Sequence, residues 1–140
     1  MKLQKIYNCG RVINAALYSR LVELDPIIFT GCENEFKENR DWWVVVENKK
    51  IIAYCGCLYT DGICIFNRAW VSRKYRGNGL QRRMITTRLN AAKKRCNVAI
   101  TYTLRTNIVS ANNLIKKKFL LYEPAYKYVG NDVLYFKIEF

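Results

Sequence analysis

Histidine is absent from this sequence, which excludes any mechanism in which an imidazole takes the proton. Neither a Ser-His-Asp nor a Cys-His nucleophile system can be built within the chain. The six cysteines contain no Cys-x2-Cys pair: Cys55 and Cys57 are followed by Cys64, while Cys9, Cys32 and Cys96 are scattered. A zinc knuckle therefore has no framework, and no metal is expected; these cysteines read as small hydrophobes in a reducing compartment. No apolar stretch reaches membrane-spanning length, and Met1 to Ile6 leads into no sustained apolar region of the kind a secretory leader needs. The expectation is a cytoplasmic chain with no membrane partner. Acidic residues are scarce in one half only, with three against fifteen basic residues over 71–140, compared with eight against nine over 1–70. Nearly all of the +13 net charge thus lies in the second half, where it suits a polyanionic ligand, either a nucleotide cofactor or nucleic acid.

What is present is enough apolar material for a core. With 140 residues, 51% apolar and 14% aromatic, the chain is expected to form one domain, 1–140, without a linker. Residues 2–7 read as a first strand. Val12, Ile13, Ala16, Leu17, Leu21 and Leu24 recur at helical spacing, and Asp25-Pro26 is expected to end that helix. Residues 27–40 read as a short exposed helix or loop, with Glu33, Glu35 and Glu38 on the surface, in a segment well placed to shape a substrate site. Strands follow at 41–47, 51–59 and 62–71, joined by tight turns at Asn48-Lys49-Lys50 and Asp61-Gly62. A helix from Leu80 to about Arg95 leads to a strand at 98–104, and a right-handed crossover makes that strand parallel to 62–71. Residues 110–118 are helical in pattern, and 119–126 and 133–140 are closing strands.

The stretch from Trp70 to Asn90 organises the rest. An apolar strand stops at a basic turn containing Gly77 and Gly79, and a helix begins at once with Leu80, Met84, Ile85, Leu89 and Ala92 on one face. Glycines at a helix N-terminus let backbone N–H groups approach an anion closely, and Arg73, Lys74, Arg76, Arg82 and Arg83 surround this turn.

This order of elements, with Arg76-Gly77-Asn78-Gly79-Leu80-Gln81 after the fourth strand, resembles the GNAT superfamily of acetyl-CoA-dependent N-acetyltransferases. The family pattern is Gln/Arg-x-x-Gly-x-Gly/Ala, from which Gln81 departs. A second block, from Asn107 through Ser110, Asn112, Asn113 and Leu114 to Lys118-Phe119, resembles the signature of the family's last helix. Leu114 stands there where many members carry a tyrosine thought to protonate the departing thiolate, and Lys118 replaces a glycine. The flanking text resembles a branch of small bacterial and phage-type members.

The resemblance implies a single-domain α/β (α+β) fold with a mixed sheet of six to seven strands, splayed between the fourth and fifth, and three to four helices. It implies acetyl-CoA as co-substrate and direct transfer, in a ternary complex, to a primary amine of a small molecule. Ala69, Trp70 and Val71 would bond the pantetheine arm, with the Val71 N–H polarising the thioester. The loop from Arg76 through Gly77, Asn78, Gly79 and Leu80 to Gln81 would hold the diphosphate, Asn107 the arm near its thiol, and Arg73, Lys116 and Lys117 the nucleotide phosphates. With no tyrosine at 114, Tyr122 and Ser110 are the candidate acids. No carboxylate stands out as the base, and water bridged by Tyr102 is an alternative. Arg68 is costly to bury in mid-strand when residues 62–80 hold no acid. Either it pairs with a distant carboxylate such as Glu47 or Asp41, or it snorkels, or its fork receives an anionic group of the acceptor. The resemblance leaves the oligomeric state open: family members often dimerise, and residues 119–140 are the place where a homodimer would form. The competing class is a module of this fold that binds nucleic acid, but Lys116 to Lys118 have no interleaved aromatic partner except Phe119.

Overall fold

The computed structural model describes all 140 residues. Eight strands form one sheet: β1 (Gln4–Asn8), β2 (Arg11–Val12), β3 (Arg40–Glu47), β4 (Lys50–Thr60), β5 (Ile63–Val71), β6 (Val98–Leu104), β7 (Leu120–Tyr122) and β8 (Val133–Glu139). Their spatial order is β2-β1-β3-β4-β5-β6-β8-β7. Every pairing is antiparallel except β5 with β6, as the crossover helix α2 (Leu80–Lys93) between them requires. Helix α1 (Ala15–Ile28) covers one face, over a core of Leu17, Leu21, Trp42, Val44 and Tyr54. Helices α2 and α3 (Ile108–Lys116) cover the other, over Phe66, Met84, Ile85, Leu114, Phe119 and four of the six cysteines.

Local chemistry explains the tight turns. Asn48 and Lys49 have φ of 50° and 63°, and Asp61 and Gly62 have 49° and 78°, the paired positive values of a two-residue hairpin whose twist matches the strands it joins. Lys118 also lies at positive φ, 76°, because it closes α3. The Phe119 N–H bonds the Leu114 carbonyl and the Lys118 N–H bonds that of Ile115, the two bonds of a Schellman cap, which favours glycine at that residue. The lysine found where the family carries glycine therefore keeps the backbone shape, at a cost of about 1–2 kcal/mol.

Three expectations need correction. The first helix does not start near Gly10. Residues 11–12 form the extra strand β2, and Asn14 caps α1 by accepting from the Leu17 N–H at 3.1 Å. Nor does Asp25-Pro26 end it. Pro26 lies inside the last turn, where its missing N–H leaves only the Val22 carbonyl without its helical partner, and the Phe29 N–H still bonds the Asp25 carbonyl at 2.8 Å. Residues 29–39 form no helix, and Glu35, expected on the surface, is buried.

Strand β5 contains a bulge that the alternation pattern does not reveal. Gly56 pairs with Arg68 and Leu58 with Ile65, so Cys57 alone faces both Phe66 and Asn67. A bulge adds one residue and shifts the alternation of faces. Cys64 and Phe66 point toward α2, whereas Arg68 and Trp70 point toward α1, and Asn67 joins their face, accepting from Arg40 at 2.5 Å. Gly56, next to the residue that faces the bulge, has to be glycine because of its β3 neighbour, since a Cβ there would stand 2.6 Å from the Trp42 ring.

Candidate active site

The bulge coincides with the end of pairing between the two parallel strands. β5 pairs β6 only from Ile63↔Val98 to Phe66↔Thr101, after which both continue apart. The direction of the backbone groups beyond that point follows from one bond. The Ser72 N–H donates to the Ile52 carbonyl at 2.7 Å, which makes 52/72, 54/70 and 56/68 the pairs that exchange ladder bonds with β4. Ala69 and Val71 therefore turn their N–H and C=O groups into the gap. Trp70 does not: its backbone N–H and C=O belong to the β4 ladder, which removes it from the set of expected backbone donors, although the residue still borders the opening. Arg76 folds back so that its Nε donates to the Val71 carbonyl at 3.0 Å, leaving the Ala69 groups and the Val71 N–H free.

The gap opens into a cleft of about 730 Å³ whose other end is the glycine turn. Gly77 and Gly79 have φ of 84° and 75°, and a Cβ at Gly77 would meet nothing within 4 Å. Gly79 is the N-cap of α2, and the first helical bond comes from Arg83 to its carbonyl at 3.1 Å. The amides of Leu80, Gln81 and Arg82 are thus the unpaired donors of the first turn, at its positive dipole end. Asn78 is turned away, its side chain donating to the Tyr75 carbonyl at 3.0 Å. A shallower groove continues from Gly79 and Arg82 along Lys2, Arg83 and Lys117, so the basic rim extends beyond the turn. Lys116 lines the main cleft; Arg73 lines neither depression.

Across the cleft stands the start of α3. Asn107 caps it, its side-chain oxygen accepting from the Ser110 N–H at 3.2 Å. Gln81, the departure from the family pattern, donates to Ser110 Oγ at 2.7 Å and accepts from Asn113 at 2.9 Å. It therefore latches the two helix ends together over the cleft. Because Ser110 Oγ accepts that bond, its own O–H remains available to donate inward.

On the α1 face of the gap the buried charges pair with one another. Arg68 Nε meets Asp25 Oδ1 at 3.2 Å, its Nη2 donates to the Glu33 carbonyl at 2.7 Å, and its guanidinium lies over Phe29. Arg68 has thus found its anion within the chain, in neither Glu47 nor Asp41, and its assignment as the receiver of a substrate carboxylate is withdrawn. Tyr54 donates to the same Asp25 carboxylate at 2.6 Å; burial, reinforced by that bond, pushes its phenol far up and keeps it neutral. Beside this pair, Arg40 bonds Glu35 and Asn67, both at 2.5 Å. Tyr102 lies past the end of pairing on β6, its hydroxyl raised above the usual phenol value mainly by burial, with Arg68, Cys32 and Glu35 near enough to act on it. It meets Tyr128 edge-on at 6.1 Å.

Tyr122 is not in the cleft. It belongs to β7, which is separated from β6 by β8, and it lines a different depression with Arg105 and Glu123. Tyr122 lines no part of the cleft and its role as an acid is withdrawn; of the two candidates Ser110, which does line it, remains. The residues that sequence reasoning missed are Asp25, Glu35, Arg40 and Arg88. For Arg88 a signal existed: four residues after Met84 and three after Ile85, it belongs to the apolar face of α2.

Comparison with known proteins agrees with this geometry. The profile of the acetyltransferase (GNAT) domain family matches residues 38–123. The sequence matches no curated protein. Among solved structures, an IAA acetyltransferase from Bacillus cereus ATCC 14579 superposes with a TM-score of 0.72 at 15% identity, over 99% of both chains. The PaiA N-acetyltransferase of Thermoplasma acidophilum, in complex with coenzyme A, gives 0.70 at 10% identity over 100% of both. The Campylobacter jejuni N-acetyltransferase PseH, in complex with acetyl coenzyme A, gives 0.56 at 14% identity, over 90% of this chain and 82% of that one. At such identities the likeness is one of fold.

Proposed function

Since the chain belongs to the GNAT acetyltransferase family, we propose that it transfers an acetyl group from acetyl-CoA to a primary amine of a small molecule, directly, with both substrates held together. The observation that carries this reading is the row of free backbone groups at Ala69 and Val71, facing a gap that ends at the glycine turn. An extended arm with amides can join such an edge as an added strand, and the unpaired amides of Leu80, Gln81 and Arg82, with no Cβ at Gly77 or Gly79, suit a diphosphate. The two ends fix the direction of the arm: diphosphate at the turn, thioester near the bulge. Ala69 lies nearer the bulge than Val71, so its N–H replaces that of Val71 as the donor to the thioester oxygen.

The chain's own contribution is then mainly orientation, worth several kcal/mol once two reactants are held in register. Asp25 and Glu35 are engaged by Arg68 and Arg40, which leaves water beside Tyr102 to carry the proton away from the amine. Ser110, with its oxygen tied to Gln81, presents its hydroxyl to the departing sulfur. The loss of Arg68 as an anion receiver removes the reason to expect a carboxylate on the acceptor. Leu120 and Leu121, exposed on the edge strand β7, support a homodimer through the C-terminal strands.

A nucleic acid would use the same basic rim. The groove along Lys2, Arg82, Arg83 and Lys117 contains no aromatic side chain on which bases would stack, which favours the enzyme. A panel of small primary amines assayed for acetyl-CoA-dependent thiol release tests the proposal. Turnover with at least one amine is expected, together with thermal stabilisation by acetyl-CoA; a ligand at 100 times its Kd adds about 2.7 kcal/mol. No thiol release with any amine, and stabilisation by an oligonucleotide instead, would support the binding module.

A further inference from the structure

Among the buried Asp, Glu, Lys and Arg side chains, Arg88 is the one with no ion pair. Asp25, Arg68, Glu35, Arg40 and Asp41 are all buried and all paired. Arg88 is 4% exposed and meets no carboxylate. Its guanidinium lies 4.5 Å from the centre of the Phe66 ring, its Nε donates to the Met84 carbonyl at 3.2 Å, and its Nη1 approaches the Arg68 carbonyl at 3.5 Å. Carbonyls and an aromatic face compensate a desolvated charge only in part. In terms of stability alone, an apolar side chain of similar length would serve this position as well or better.

Its position is informative. Leu80 and Met84 line the cleft, and Arg88 follows on the same ridge one turn later, above Phe66, the last residue of β5 that pairs with β6. The carbonyl it approaches belongs to the peptide between Arg68 and Ala69. In a trans peptide the C=O and N–H point in opposite directions, so that same unit turns its N–H into the gap. A positive charge at the oxygen end of a peptide withdraws electron density and makes its N–H a stronger donor, as in any polarised chain of hydrogen bonds. Across the gap, Thr103 continues the face of Thr101 on β6, and its buried hydroxyl has no partner. The place where the strands part therefore holds both a cation without a counter-ion and an unsatisfied hydroxyl.

We propose that Arg88 is a positioning residue that polarises the Arg68–Ala69 peptide and so strengthens the Ala69 N–H as donor to the thioester oxygen of acetyl-CoA. This rests on the acetyl-transfer reading above. No proton passes through Arg88. As the amine attacks, the carbonyl π electrons move onto the oxygen, which the Ala69 N–H stabilises; they return when the C–S bond breaks and the electron pair leaves with sulfur. The long contact to the Arg68 carbonyl gains most while the oxygen is charged, which makes the effect specific to the transition state.

The test uses acetyl-CoA labelled with carbon-13 in the thioester carbonyl, bound to the full chain and to its Arg88→Met and Arg88→Gln variants, and read by difference infrared spectroscopy. In the wild-type complex the carbonyl stretch is expected below that of free acetyl-CoA, and in Arg88→Met it should return toward the free value. The calorimetric Kd should stay within about threefold, and the thermal midpoint should be unchanged or raised. Transfer to an amine accepted by the wild type should fall about tenfold at saturating substrates, a part of the roughly 10²–10³ that removal of a whole oxyanion donor costs. Arg88→Gln, which keeps a donor but loses the charge, gives the same reading if the Met variant does not fold. An unchanged carbonyl frequency in a folded, acetyl-CoA-binding variant would overturn the proposal. Failure of the wild type to bind acetyl-CoA is a distinguishable result that would remove the acetyl-transfer reading and this inference with it.

Discussion

Gly79→Asp is expected to abolish acetyl-CoA binding and leave the chain folded. The substitution is tolerable in the free protein for two reasons. The site has φ of 75°, a left-handed value that aspartate adopts more readily than most residues, and a new Cβ would meet only the flexible end of Arg82, at 3.7 Å. Aspartate is also a good N-cap, so α2 should keep its start. The same carboxylate would stand among the free first-turn amides assigned to the diphosphate. It would occupy those donors and repel the incoming phosphates, and a like-charge juxtaposition costs several kcal/mol, which is about a hundredfold or more in affinity. Calorimetry with acetyl-CoA, alongside a thermal melt of both proteins, measures the effect. A variant that binds like the wild type would move the diphosphate away from this turn.

Asp25→Ala should be the most damaging single change on the opposite face, at about 3–5 kcal/mol. Asp25 is 3% exposed and holds two partners, Arg68 Nε at 3.2 Å and the Tyr54 hydroxyl at 2.6 Å. Its removal leaves a guanidinium and a phenol desolvated without their acceptor, and the penalty is that of orphaned groups rather than of a lost bond. The double variant Asp25→Ala/Arg68→Met should then be more stable than the additive sum of the single changes, because the orphaned charge leaves with it. Urea unfolding of the four proteins gives the coupling directly. A cost for Asp25→Ala below about 1 kcal/mol would mean that the pair is solvated and does not hold α1 against the sheet.

Some of this could be read from the sequence, for reasons of range. The hairpin turns at Asn48-Lys49 and Asp61-Gly62, the glycine turn, and the start of α2 are written in adjacent residues whose conformational demands are local. The parallel crossover and the splay after the fourth expected strand, now β5, follow from element order and from family resemblance. Arg68 was misread because its partner lies 43 residues earlier, on a helix that the Asp25-Pro26 pair was expected to terminate. Once Pro26 is accommodated in the last turn, Asp25 faces the sheet. The bulge at Phe66 and Asn67 was invisible to a period-two count, and it sets both the end of pairing with β6 and the face presented by Arg68. Tyr122 was chosen by chemistry alone; strand order, which placed β8 between it and the gap, was the missing information. Arg88 failed to register because an arginine on an apolar ridge reads as a lapse in the pattern, when here its guanidinium reaches the carbonyl of the peptide proposed to do the work.

The central claim is that the gap between β5 and β6 takes the thioester arm of acetyl-CoA with its diphosphate on the glycine turn. Backbone-amide NMR of the wild-type chain titrated with acetyl-CoA tests it most directly. The largest shifts are expected at Ala69, Val71 and Gly77 to Arg82, with those of Ala69 and Val71 marking entry into new hydrogen bonds, while Tyr122 and its neighbours in β7 stay in place. Saturating acetyl-CoA that leaves Ala69 and Val71 unmoved, or that shifts the β7 amides instead, would contradict the account.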